Sequence, residues 1–116
     1  MVKVERKRKL STILAMDVVN YTAKMGANEE GTLERLAGCR EIIQKVVASQ
    51  QGRIFNTAGD AFMIEFASPV GAVTAAIDIQ KKIAFENLRL EQNDRMEFRA
   101  GINMGDIIIE GENLFG

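Results

Sequence analysis

The sequence contains no histidine and only one cysteine, Cys39, among its 116 residues. Without histidine, Ser-His-Asp and Cys-His triads and histidine-ligated zinc sites are excluded. A lone cysteine fits a reducing, cytoplasmic environment. Cys39 lies within a helical pattern, so we interpret it as a small buried hydrophobic residue. Any chemistry must therefore use carboxylates, amides, hydroxyls and cations.

The sequence also lacks long apolar runs and an excess of charge of one sign. Its longest apolar runs are far shorter than the roughly 20 residues that span a bilayer, and no signal peptide is visible, so we expect no membrane insertion in this segment. Fifteen basic and sixteen acidic residues give a net charge of −1, which argues against a dedicated nucleic-acid binder. Hydrophobic residues form 47% of the chain, a composition typical of one small globular domain.

In the first half of the chain, the hydrophobic pattern predicts a strand and a long helix. Residues 1–10 form a charged lead-in, interpreted as a solvated arm or, alternatively, a basic partner contact. The apolar run 11–19, rich in β-branched residues, predicts a buried central strand, and 20–28 a turn or short helix. Asn28 is a plausible N-cap for the helix that follows. The predicted buried face of this helix consists of Leu33, Leu36, Cys39, Ile43, Val46 and Val47.

In the second half, the pattern predicts a hairpin, a second helix and further strands. The segments RIFNT and AFMIEF flank a tight glycine-containing turn, which is typical of a β-hairpin. Ser68 and Pro69 begin the second helix as N-cap and first residue. Over residues 96–116 the pattern predicts a strand, a turn or bend at Gly105-Asp106, a second apolar strand and then a glycine-rich turn. The predicted buried face of the second helix consists of Val70, Val73, Ile77, Ala84 and Leu88.

The element order is β-α-β-β-α-β followed by an extra strand. This order predicts an α+β protein with a ferredoxin-like split βαβ core, in which helices cover one face of an antiparallel sheet. We expect the aromatic residues Phe55, Phe62, Phe66 and Phe98 to lie in the core, and Met16 and Met63 to serve packing only.

Two aspartates stand at positions that this topology brings together. Asp17 lies near the end of the first strand and Asp60 in the hairpin turn TAGDAF. Two carboxylates a few ångströms apart repel unless one is protonated or a cation lies between them. Oxygen ligands suit Mg²⁺ or Mn²⁺, and such a pair can hold two ions that support in-line attack at phosphorus. A capping or paired structural role for Asp17 and an ordinary turn role for Asp60 are the alternatives.

The segment VVNYT follows the first strand and leads into a possible helix start. Backbone N–H groups at such a position bind anions, and Thr22 can add a hydroxyl. Gly101 and Gly105 are most simply bulge or bend residues, and Asp106 a surface or interface residue rather than a third metal ligand.

Three segments follow one another over residues 8–116: RKLSTILAMDVVNYTAKMGANEEGTLERL, GRIFNTAGDAFMIEFASPVGAVTAAIDIQ and FRAGINMGDIIIEGENLFG. Together they resemble the catalytic domain of class III adenylyl/guanylyl cyclases of bacterial type, in which the matching segments occur in the same order. The resemblance implies domain boundaries of 11–116, with the C-terminal part of the catalytic domain missing from the sequence.

The resemblance also implies site residues and a reaction. Asp17 and Asp60 match the family's metal-binding aspartates, and the carbonyl of Val18 matches a further metal contact. The matching phosphate-binding turn consists of Asn20, Tyr21 and Thr22. The implied reaction converts ATP to 3′,5′-cyclic AMP and pyrophosphate with two Mg²⁺ or Mn²⁺ ions, in intracellular signal transduction. The implied assembly is a head-to-tail homodimer.

Two departures from the family pattern keep other functions open. Asn56 stands where the family has an adenine-selecting lysine, which leaves ATP and GTP as alternative substrates. The family's transition-state asparagine and arginine lie beyond the position of Gly116, so we expect this segment alone to turn over poorly. The alternatives are an inactive cyclase-homology module that binds nucleotide or dimerises, and an interaction domain in which both aspartates are structural.

Overall fold

The computed structural model describes the backbone of residues 6–110 and 113–115 and the side chains of residues 9–106. In chain order, the elements are β1 Arg6–Val18, α1 Tyr21–Ala27, α2 Glu29–Ser49, β2 Arg53–Ala58, β3 Ala61–Phe66, α3 Pro69–Asn87, a 3₁₀ turn Gln92–Asp94, β4 Phe98–Glu110 and β5 Asn113–Phe115. The strands form one sheet in the order β2-β3-β1-β4-β5, and every pairing is antiparallel. The predicted ferredoxin-like split βαβ fold with an extra strand is confirmed.

The central strand β1 has one face in the core. Leu14, Met16 and Val18 are buried against the helices, and they pack with Ile43 of α2 and Ile79 of α3. Because side chains alternate along a strand, residues 13, 15 and 17 point to the opposite side of the sheet, which we call the open face. The predicted core positions Cys39, Phe62, Phe66 and Phe98 are also buried, whereas Phe55 and Met63 are half-buried.

Both long helices begin at the predicted caps. The side chain of Asn28 accepts a hydrogen bond from Gly31 N at 3.0 Å, and Ser68 Oγ accepts one from Gly71 N at 3.1 Å. These bonds satisfy backbone donors that have no partner within a helix. Helix starts are thus fixed by local sequence at both sites.

The predicted buried face of α3 is wrong. Its actual buried face is formed by Ala72, Ala75, Ala76, Ile79 and Ile83. Val70, Val73, Ile77 and Leu88 are between 44% and 75% exposed, and Ala84 is exposed too. The helix carries apolar residues on two sides, and the side with the small alanines is the one that packs on the sheet. Leu33 of α2, also predicted as buried, is 46% exposed.

The predicted turn at Gly105-Asp106 is also wrong, since β4 continues through both residues. Strand β1 begins at Arg6, within the segment interpreted as a charged lead-in, and therefore pairs with β4 along its whole length. Gly105 stands opposite Ser11 and Asp106 opposite Leu10. The long partner strand satisfies the backbone groups that a turn would otherwise leave unpaired. The predicted glycine-rich turn at 111–112 lies outside the described residues.

Candidate functional site

Asp17 lies on the open face near the end of β1, directly opposite Arg99 of β4. Arg99 Nε donates a hydrogen bond to Asp17 Oδ1 at 2.8 Å. The side chains are 71% and 45% exposed for Arg99 and Asp17, respectively. The pair therefore lies at the surface, where solvent screens much of its attraction.

Asp60 is held against the same end of β1. It follows Gly59, whose φ of 59° permits the tight β2–β3 turn. Asp60 Oδ2 accepts a hydrogen bond from Val18 N at 3.0 Å. Since this nitrogen belongs to the peptide bond that follows Asp17, the hairpin turn brings the second aspartate next to the first, as the topology predicts.

The predicted anion-binding turn lines a cleft of about 660 Å³ beside these aspartates. Its lining consists of Val18, Val19, Asn20, Tyr21, Thr22, Ala23, Asp60 and Arg99. Asn20 has a left-handed backbone, with φ 58°, and precedes α1 without a capping hydrogen bond from its side chain. The exposed hydroxyl residue Thr22 follows in the first turn of α1.

Not all amides of this turn are available to an anion. Besides Val18 N, which Asp60 engages, Val19 N donates to the carbonyl oxygen of Glu97 at 2.8 Å. The prediction that the segment leaves β1 with free N–H groups therefore does not hold for its first two residues in this conformation. Any backbone contact to an anion would come from the residues that follow, at the beginning of α1.

A β-bulge in β2 determines where Asn56 lies. Ile54 pairs with Ile64 and Asn56 with Met63, so Phe55 is an extra residue without a partner on β3. Directly paired residues share a face. Ile64 is in the core, and Met63 pairs also with Ala15 on the open face. The bulge thus places Asn56 on the same face as Asp17, where it is exposed.

A smaller depression of about 340 Å³ continues from Asp17 across the open face. Its lining includes Ala15, Met63 and Gly101 together with Asp17 and Arg99. Gly101 stands opposite Ala15, and these small residues leave the depression open. Asp106, by contrast, pairs with Leu10, seven residues from Asp17, which at about 3.3 Å per residue is roughly 23 Å along the strand.

The residues at this position fit a hard divalent cation by the chemistry of their donors. Within residues 9–106 no group of three or more acidic, histidine or cysteine side chains forms a metal cage. Mg²⁺, however, is commonly held by one or two carboxylates, with phosphate oxygens and water as its other ligands. Asp17 and Asp60 supply two carboxylates, and in this structure Asp17 is paired with the guanidinium of Arg99.

Arg99 is the site residue that sequence reasoning missed. Its position opposite Asp17 depends on the register of β1 and β4, which are separated by two helices and a hairpin along the chain. A basic residue at the start of an apolar strand was the only signal in the sequence. It gave no reason to select this arginine over the others.

Individual relatives, rather than a family model, show which family the chain belongs to. No protein-family model matches it. It is 38% identical over 117 residues to "Putative adenylate cyclase 3" of Rhizobium meliloti (strain 1021), a match that covers all of this chain. The crystal structure of an adenylate/guanylate cyclase/hydrolase from Silicibacter pomeroyi matches 97% of the chain with 33% identity and a TM-score of 0.85. The chain belongs to the class III adenylyl/guanylyl cyclase domains.

The cyclase domain spans only part of these relatives. It covers 20% of the Rhizobium protein and 66% of the Silicibacter chain. A bacterial light-regulated adenylyl cyclase shares the fold, with a TM-score of 0.85 at 16% identity over 97% of the domain and 38% of that chain. Among the described residues, no helix is long and apolar enough to cross a membrane.

Proposed function

We propose that this domain binds a metal–nucleotide complex and takes part in forming 3′,5′-cyclic AMP from ATP. The observation that carries the proposal is the meeting of Asp17 and Asp60 at the end of β1, beside the turn of residues 20–22. In the reaction, the ribose 3′-oxygen forms a bond to the α-phosphorus and loses its proton to solvent. The bond from the α-phosphorus to the pyrophosphate oxygen breaks, and pyrophosphate leaves.

We assign the two carboxylates to metal binding. Asp17, Asp60 and the carbonyl of Val18 would hold two Mg²⁺ or Mn²⁺ ions. When bound, such ions lower the pKa of the 3′-hydroxyl and offset phosphate charge. The hydrogen bond from Val18 N keeps the Asp60 carboxylate at the strand end. This bond limits the reorganisation that metal binding requires of the hairpin turn.

We assign the cleft beside α1 to the phosphates. Asn20, Tyr21 and Thr22 line it, and the guanidinium of Arg99 adds a positive charge. Guanidinium groups suit phosphate oxygens because they present several N–H donors in a plane. The hydroxyl of Thr22 is a further donor for an oxygen of the triphosphate.

We assign the base contact to Asn56. Its amide both donates and accepts hydrogen bonds, so it does not by itself separate adenine from guanine. Asn56 is exposed on the same face of the sheet as Asp17, where a nucleotide base could reach it. We further propose a head-to-tail homodimer, in which one subunit binds the base and the other subunit binds the phosphates of the same nucleotide. We propose that this dimer acts in the cytoplasm.

A second candidate is a cyclase-homology module that binds nucleotide or dimerises without turnover. The exposed, uncharged Asn56 at the base position favours it. The two candidates differ in whether the full-length protein containing this domain releases pyrophosphate from ATP in the presence of Mn²⁺.

The test is Mn²⁺-dependent ATP binding and turnover by the full-length protein and three variants. Asp17→Ala and Asp60→Ala should each lower the affinity for Mn²⁺-ATP by about tenfold or more, because each removes a charged metal ligand. Asp106→Ala is the matched control, since it removes an exposed aspartate elsewhere on the same sheet. Unchanged Mn²⁺-ATP binding in the first two variants would refute the assigned metal site. Binding without turnover in the unaltered protein would favour the inactive module.

A further inference from the structure

The ion pair between Arg99 and Asp17 places a protein cation on a proposed metal ligand. Arg99 Nε lies 2.8 Å from Asp17 Oδ1, and the two residues are directly opposite each other in the β1–β4 register. A divalent cation bound to this carboxylate would lie close to the guanidinium, and two positive charges at such a short distance repel each other. The two cations therefore compete for one side chain.

The Arg99 guanidinium can leave Asp17 at little cost. The Arg99 side chain is 71% exposed and lines both the cleft beside α1 and the depression on the open face. It can therefore leave Asp17 without losing a buried position. Exposed ion pairs of this type are weak, and the coupling they contribute corresponds to a factor of about 2 to 5 in an equilibrium constant.

The second aspartate is held differently. Asp60 accepts from a backbone N–H, whose position is fixed by β1 and which cannot swing away. Asp60 can keep this donor when a cation binds, because the backbone N–H carries no net charge that would repel the cation and the carboxylate has further lone pairs. The two carboxylates thus have unequal roles: one is anchored, and the other carries an exchangeable counter-ion.

We propose that Arg99 is a positioning residue that pairs with Asp17 in the metal-free domain and is displaced when a divalent cation binds. This inference rests on the proposed metal site. Arg99 keeps the Asp17 side chain in a defined orientation while no metal is present, and it lowers the affinity for the metal by the strength of the pair. Metal binding and the release of a guanidinium into the adjoining cleft are therefore coupled.

The test measures Mn²⁺ binding without nucleotide, by the electron paramagnetic resonance signal of free Mn²⁺, on the full-length protein. Arg99→Gln should bind Mn²⁺ about 2- to 5-fold more tightly than the unaltered protein. Arg99→Lys keeps the charge but not the Nε geometry, so its dissociation constant should lie between those of Arg99→Gln and the unaltered protein. Arg89→Gln is the control, because Arg89 pairs with Glu86 at the end of α3, away from the site.

The outcomes separate this inference from the proposed function. If Asp17→Ala abolishes Mn²⁺ binding while Arg99→Gln leaves it unchanged or weaker, the role of Arg99 is refuted and the metal site stands. If Asp17→Ala binds Mn²⁺ normally, the metal site itself fails. A third outcome would also overturn the pairing role. If Arg99→Lys binds Mn²⁺ as the unaltered protein does and Arg99→Gln binds it more tightly, the net charge at this position alone explains the change in affinity.

Discussion

Asp60 and Val18 are joined by a hydrogen bond in which the backbone N–H of Val18 donates to Asp60 Oδ2 at 3.0 Å. This bond ties the β2–β3 turn to the end of the central strand. Asp60 therefore has a structural role that is separable from its proposed role as a metal ligand. The two roles can be measured separately by comparing one substitution of Asp60 that keeps a hydrogen-bond acceptor with one that removes it.

Asp60→Ala should destabilise the domain more than Asp60→Asn. Alanine leaves the part-buried Val18 N–H without its acceptor, and the loss of such a bond to a charged group costs about 1.5–3 kcal/mol. Asparagine keeps an acceptor oxygen of the same shape, so we expect a smaller loss. Urea unfolding measures both free energies. Equal destabilisation by the two variants would contradict the structural role, whereas Mn²⁺ binding should fall in both.

Asn56→Lys should raise the preference for ATP over GTP. The resemblance to the family assigns an adenine-selecting lysine to this position, and a charged hydrogen bond of about 1.5–3 kcal/mol corresponds to roughly tenfold or more in relative affinity. Competition between ATP and GTP for the Mn²⁺-loaded full-length protein measures the ratio. Thr57→Lys is the control, because Thr57 pairs with Phe62 on the opposite face of the hairpin. If Asn56→Lys and Thr57→Lys have the same ratio of ATP to GTP affinity, residue 56 does not select the base.

Gly52→Ala and Gly38→Ala should change stability in opposite directions. A Cβ at Gly52 would lie 2.5 Å from Cε1 of Phe66, whose ring is buried and cannot yield, so we expect destabilisation of about 1–3 kcal/mol. A Cβ at Gly38, on the exposed side of α2, meets nothing within 4 Å, and alanine there should add about 0.4–1 kcal/mol. Thermal unfolding checks both, and destabilisation at Gly38 would contradict the packing described for α2.

Cys39 should make the stability of the domain fall in alkaline solution. Burial, with a smaller contribution from Glu86, raises the pKa of the Cys39 thiol from 9.0 to about 11. The folded state then holds this proton more tightly than the unfolded state. The contribution is complete below pH 9 and is lost as the pH rises to about 11.

The comparison of Cys39→Ala with the unaltered protein isolates this thiol from other alkaline groups. The difference in unfolding free energy between the two proteins should shift over that pH range in favour of the variant. The cavity left by the substitution does not titrate, so it adds only a constant offset. A difference that stays constant with pH would show that the thiol has the same pKa in both states.

The element order and the helix caps were predicted from the sequence, whereas the buried side of α3 and the uninterrupted course of β4 were not. Asn28 and Ser68 cap their helices because the partner N–H lies three residues away. The apolar run 11–19 marks the central strand, but that strand ends at Val18 and its residues 13, 15 and 17 are only half-buried. The side of α3 that packs on the sheet depends on a surface formed elsewhere in the chain. The turn predicted at Gly105 failed because the whole length of β1 is available as a partner.

The candidate site divides in the same way. Asp17 and Asp60 could be selected from the sequence because the topology alone brings the end of β1 to the hairpin turn. Arg99 could not, because its partner depends on a register that a shift of one residue would change. Asn56 was selected only through the family resemblance, and the bulge at Phe55 that turns it to the open face was not predicted from the sequence.

The two-sided character of α3 has a consequence for handling the protein. Val70, Val73 and Ile77 stand in solvent on one helix, and Ile102 and Met104 are 41% and 50% exposed on the helix side of β4. Surfaces of this kind make proteins adhere to one another. Salts such as ammonium sulfate strengthen apolar association. The cyclase domain should therefore precipitate at low concentrations of such salts while still folded, and colloidal behaviour rather than unfolding should set the conditions for its storage.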